Sequence, residues 1–106
     1  MSNELLIARC SLLMVVGTLS IKLMTRDAHS LKDKRRIIKS LKDRIRNTFN
    51  VSVSEIGAQD NKQHCVLGIA MVGTDRRYVN GVLSTIINSL HTFSCAELID
   101  YELELI

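Results

Sequence analysis

Eight of the fourteen lysines and arginines in this chain of 106 residues fall between positions 30 and 50: Lys32, Lys34, Arg35, Arg36, Lys39, Lys42, Arg44 and Arg46. Only Asp33 and Asp43 oppose them there, so the segment carries +6 while the remainder carries −3 of a net +3. Cations at this density suit one kind of chemistry, replacing the counterions along a phosphate backbone. Wound as a helix at about 100° per residue, Lys32, Arg35, Arg36, Lys39, Lys42 and Arg46 fall within an arc of roughly 120° that runs for roughly 20 Å. That length reaches several consecutive phosphates. The competing reading is a solvated helix exterior in which Arg36 pairs with Asp33, and Lys39 or Arg46 with Asp43. Two acids leave most of this charge unopposed, yet on the residues alone the solvated exterior keeps a slight advantage.

The other reactive residue types are less organised. Arg76 and Arg77 open a second helical pattern, where the helix dipole disfavours cations; they either extend a phosphate site or are two solvated arginines at a loop edge. His29, His64 and His91 with Cys10, Cys65 and Cys95 lack the spacing of structural zinc ligands, and His64 and Cys65 point to opposite sides of a strand, so no metal or other cofactor is expected. Cys65 reads as a small apolar residue. The loop from Thr25 to His29 has Arg26 but no glycine with which to cradle a phosphate, as acylphosphatase chemistry needs. Nucleophile triads, P-loops and dinucleotide fingerprints are also missing, so the chain is not expected to be an enzyme.

Several elements must position these residues. With 46% apolar and 24% charged residues, no proline, no tryptophan and four aromatics, the composition excludes a disordered tail and a disulfide-stapled module. Three cysteines at irregular separations read as free thiols of a cytoplasmic protein. The apolar run within residues 1–16 is too short for a membrane span, lacks the basic leading region of a signal peptide and flows into a strand-like pattern; residues 1–13 read as an N-terminal extension, either a loosely ordered arm or a start-site artefact, before one domain over 14–106. Alternation predicts a strand from Val15 to Met24. Ser30 caps a helix whose Leu31, Ile37, Ile38, Leu41, Ile45 and Phe49 form one apolar stripe, with Asn50 placed to stop it. Val51–Ile56 and His64–Val72 read as a hairpin with Gln59, Asp60 and Asn61 in its turn. Thr74 or Asp75 caps a second helix running to about Leu90. A last strand over Leu98–Leu105 sets Ile99, Tyr101, Leu103 and Leu105 against Asp100, Glu102 and Glu104.

This β-α-β-β-α-β order predicts an α+β, ferredoxin-like fold, one antiparallel sheet with two helices on one face. The open sheet face would then carry Val16, Thr18, Gly68, Ala70 and Val72, small enough for a second sheet to approach, or merely a partly wet surface. It offers no aromatic platform for stacking bases as an RRM does.

The runs Met14-Val-Val-Gly17, SLKDKRRIIKSLKDRIRNTFNVSVSEIG from Ser30 to Gly57, Gln59-Asp60, Leu67-Gly68-Ile69-Ala70 and Asp75-Arg76-Arg77-Tyr78-Val79 together resemble the YlxP-like bacterial proteins, domain of unknown function 503. The resemblance spans nearly everything from Met14 onward, and residues 1–13 precede the usual start. It implies a ferredoxin-like fold and a role near translation, because such proteins are often encoded beside translation initiation factor two and ribosome-binding factor A. With that context the balance tips toward nucleic acid. The expectation is a non-enzymatic cytoplasmic protein that binds structured, ribosomal RNA through Lys32, Arg35, Arg36, Lys39, Lys42 and Arg46, with a salt slope near −4 if all six neutralise phosphates. The alternative is a homodimeric interaction module that uses the open sheet face and docks the basic helix on an acidic partner.

Overall fold

The structure, a computed structural model, describes residues 14–59 and 61–106. Strand β1 spans Val15–Met24, helix α1 Leu31–Thr48, β2 Ser52–Gly57, β3 His64–Gly73, helix α2 Arg76–Leu90 and β4 Glu97–Leu105. The four strands form one sheet in the order β2-β3-β1-β4, and every neighbouring pair is antiparallel. This is a ferredoxin-like α+β fold, in which each helix carries the chain over one strand to pair beyond it.

The period-two pattern of β1 becomes alternating burial. Val15, Leu19, Ile21 and Leu23 turn toward the helices and are buried, as are their β3 counterparts Cys65, Leu67, Ile69 and Met71. Val79, Leu83, Ile86, Ile87 and Leu90 of α2 and Ile38, Leu41 and Ile45 of α1 complete one core against them. Gly17 lets α2 sit down on the sheet: a Cβ there would stand 2.5 Å from Val79 Cγ1 and 2.7 Å from Leu83 Cδ1.

Local chemistry sets the element ends. The Ser30 hydroxyl accepts the Asp33 N–H at 3.1 Å, and the Asp33 carboxylate accepts the His29 N–H at 3.3 Å, one residue earlier than in a regular capping box. Phe49 is the C-cap of α1, so Asn50 lies one residue past the stop. Asp75, rather than Thr74, caps α2 by accepting the Arg77 N–H at 2.9 Å. In the hairpin turn Asn61 Oδ1 accepts the N–H groups of Gln63 and His64, while Asp60 and residues 1–13, including Cys10, lie outside the described residues.

The last strand departs from simple alternation. Leu98, not Ile99, pairs with Leu23, because a register shift opposite Lys22 and Leu23 leaves Ile99 as an extra residue, 45% exposed. Tyr101, Leu103 and Leu105 keep the expected side, opposite Ile21, Leu19 and Gly17. A bulge of this kind cannot be read from alternation, since it moves the phase of one strand relative to its partner without altering either pattern by much.

Candidate nucleic-acid interface

Helix α1 positions its cations by burying its opposite side. Its core contacts are made by Ile38, Leu41 and Ile45, while Ile37 and Phe49 flank them half-buried. Lys32, Arg35, Arg36, Lys39 and Arg46 are exposed, and Lys42 is partly covered. These six side chains therefore share the outer side of the helix, as the spacing predicts. Their engagements differ. Arg36 pairs with Asp33 at 2.7 Å. Arg46 donates to the Val53 carbonyl of β2 at 2.7 Å and stands 3.9 Å from Asp43. No carboxylate among the described residues forms an ion pair with Lys32, Arg35, Lys39 or Lys42. Arg44 lies off this side, 5.8 Å over the ring of Phe93. Arg76 and Arg77 are exposed at the start of α2, and no hydrogen bond or ion pair among the described residues joins them to α1.

The eighth cation of the segment is not on the surface. Lys34 is 1% exposed, and its ammonium donates to the Ala58 carbonyl at 2.5 Å while pairing with Glu55 Oε2 at 3.2 Å. Glu55 points inward because it opposes Leu67 in the β2–β3 ladder. The same carboxylate oxygen accepts the Cys65 S–H at 3.4 Å. Burial first, and then this carboxylate, push the Cys65 thiol up to about 12. Ala58 holds φ 57, a left-handed conformation that aims its carbonyl at both Lys34 and the Asn61 N–H. Two signals in the sequence point to this cluster: Lys34 lies at the centre of the apolar stripe, three and four residues before Ile37 and Ile38, and Glu55 shares the inward phase of Val53.

On the far side of the sheet, Val16 opposes Val72, Thr18 opposes Ala70 and Ser20 opposes Gly68, so the five residues expected there do share one surface. Three of the five, Thr18, Gly68 and Ala70, line with Ser20 the floor of a depression of about 520 Å³, while Val16 and Val72 lie outside it. Ser52, Ser54 and Ile56 flank it on the β2 side, and Glu102 and Glu104 on the β4 side. Among the described residues no group of three or more histidines, cysteines or carboxylates converges as a metal site, and no helix is long and apolar enough to cross a membrane.

The chain is thus a ferredoxin-like sheet with a cationic first helix, and comparison gives its family. Residues 16–103 match the family described as protein of unknown function DUF503, and the chain belongs to that family. It is 37% identical over 79 residues to the uncharacterized protein YlxP of Bacillus subtilis strain 168, covering 74% of this chain and 86% of that protein. Among solved structures, the structural-genomics protein YJCS superposes with a TM-score of 0.51 at 6% identity, over 84% of this chain and 96% of that one. SnoaB, a cofactor-independent oxygenase from Streptomyces nogalater, matches at a TM-score of 0.46 and 13% identity, over 86% of this chain and 90% of its own. At 6% identity the likeness to YJCS is one of fold alone.

Proposed function

We propose that this protein is a non-enzymatic RNA-binding protein of the cytoplasm, acting in translation or ribosome maturation, with the outer side of α1 laid along the backbone of structured ribosomal RNA. The observation that carries this reading is the set Lys32, Arg35, Lys39 and Lys42, four cations on one side of a helix with no ion-pair partner among the described carboxylates. Like charges held together and unneutralised repel one another, so an anionic ligand that intercalates its phosphates among them gains both counterion release and relief of that repulsion. Contacts to phosphate carry little base information, and the open sheet has no exposed aromatic ring over its central strands, so duplex shape rather than sequence is the recognised feature. Arg36 and Arg46, already held by Asp33 and by the Val53 carbonyl, contribute less.

The test is purification of the protein from its own cells at low and high salt, with and without nuclease, alongside the Arg35→Glu, Lys39→Glu double variant. Ribosomal RNA should be retained at low salt, released at high salt and lost in the variant, whose helical circular dichroism stays unchanged. Undiminished RNA recovery with the double variant would remove α1 from the proposal. A nuclease-resistant protein partner without RNA would replace it with the interaction-module alternative.

A further inference from the structure

The register of the sheet arranges its open side in rows, and their chemistry differs from one edge to the other. At one end Val72, Val16 and Ile106 stand side by side, since Val16 opposes Val72 and exchanges backbone hydrogen bonds of 3.1 and 2.7 Å with Ile106. Val72 is 63% and Ile106 70% exposed, a high fraction for neighbouring branched side chains. The next row runs Ser52, Ala70, Thr18, Glu104, and the one after it Ser54, Gly68, Ser20, Glu102. Each of these two rows therefore has a hydroxyl at the β2 edge, small residues in the middle and a carboxylate at the β4 edge.

We propose that this side of the sheet is the interface of a homodimer whose two-fold axis runs along the strands, between β1 and β3. Rotation about that axis lays β4 of one copy over β2 of the other and keeps each row at its own height. Ser52 then meets Glu104 of the second copy, Ser54 meets Glu102, and each hydroxyl can donate to a carboxylate. Val16 and Val72 of one copy cover Val72 and Val16 of the other, and the small central residues let two sheets come within their usual separation of about 10 Å. An axis running across the strands instead would stack β4 on β4 and set carboxylates against carboxylates, which like-charge repulsion disfavours. Strands about 4.8 Å apart, overlapping for about 33 Å at β1 and β3 and about 20 Å where six-residue β2 lies over β4, hide roughly 1,000 Å² over the two copies, the lower bound for a biological interface and the size of a weak one. The outer side of α1, across the sheet from this surface, stays open to RNA in both copies.

Sedimentation velocity of the full chain, cleared of nucleic acid by nuclease and high salt, tests the proposal. The protein should sediment as a dimer at concentrations on the order of 100 µM, weakly held as its area implies; a monomer at that concentration overturns it. Ala70→Glu, at an exposed position, should yield a folded monomer; a persistent dimer overturns the surface. Ser54→Glu should weaken the dimer about tenfold or more, and adding Glu102→Lys should restore it, because the two sites meet only across the proposed axis. An unaltered dimer with Ser54→Glu, or no rescue by the second change, overturns the axis.

Discussion

Lys34 illustrates how one residue within a run of similar ones can have a separate task. Its seven cationic neighbours in residues 30–50 remain at least partly solvated, whereas Lys34 enters the core and closes α1 onto β2 through Glu55 and Ala58. Removing the acid is therefore the harsher change. Glu55→Ala strands an ammonium that is 1% exposed with a single carbonyl acceptor and should cost about 3 to 5 kcal/mol in urea unfolding. Lys34→Met keeps the volume and leaves a carboxylate whose side chain is still 21% exposed, so it should cost clearly less. Cys65 gives an independent readout of the same cluster. Its thiol, raised from 9.0 to about 12, stays protonated in the folded chain while the unfolded chain ionises. The folded state thus binds more protons between those values, and the Cys65 contribution to stability should fall as pH rises from about 9 toward 12. Below pH 9 a thiol reagent should label exposed Cys95 and spare buried Cys65.

Between elements, the closest constraint is where α2 meets β1 and β3. Val79 approaches both Gly17 and Gly73, with distances of 2.5 and 2.7 Å to the Cβ each glycine lacks. Gly17→Val must push α2 away from the sheet and should lower stability by about 1 to 3 kcal/mol, measured by thermal or urea denaturation, with the position of α1 unaffected. Helix α1 has a second role at the edge of the sheet: Arg46 engages the Val53 carbonyl, which ties the helix end to β2. At the opposite edge, Asp100, Glu102 and Glu104 alternate along β4, and charged side chains on an edge strand discourage edge-to-edge pairing with other chains.

For the whole molecule, the sorting of cations into engaged and unengaged sets changes the expected salt response. On a duplex, at about 0.9 per phosphate, six contacts imply a slope of about −5, steeper than the −4 that about 0.7 per contact gives, while four, from Lys32, Arg35, Lys39 and Lys42, imply about −3.5 in log affinity against log salt. Titration of a duplex RNA by fluorescence anisotropy across salt concentrations should return the smaller slope, and Arg36→Ala should change it little. A slope of about −5 or steeper would mean that Arg36 and Arg46 release Asp33 and Val53 to meet the ligand. The two sides of the molecule are thereby divided, with a cationic layer of helix outside one face of the sheet and a small-residue surface with an acidic rim on the other.

Periodicity alone determined most of the architecture. Alternation in β1 and β3, the apolar stripe and Ser30 cap of α1 and the turn residues before His64 are local patterns, and local patterns follow from backbone geometry that any window of the chain contains. The basic side of α1 was legible for the same reason, since placing a hydrophobic stripe inward places its opposite outward. Tertiary structure decided what depends on residues far apart in the chain. Whether Lys34 is a surface cation or a buried one turns on Glu55 and Ala58, more than twenty positions away, because burial of a charge is tolerable only where partners converge on it. The phase of Ile99 turns on a bulge against β1, and the rows of hydroxyl, small residue and carboxylate exist only once β2, β3, β1 and β4 are in register. Register is a property of pairs of strands, and no single strand carries it.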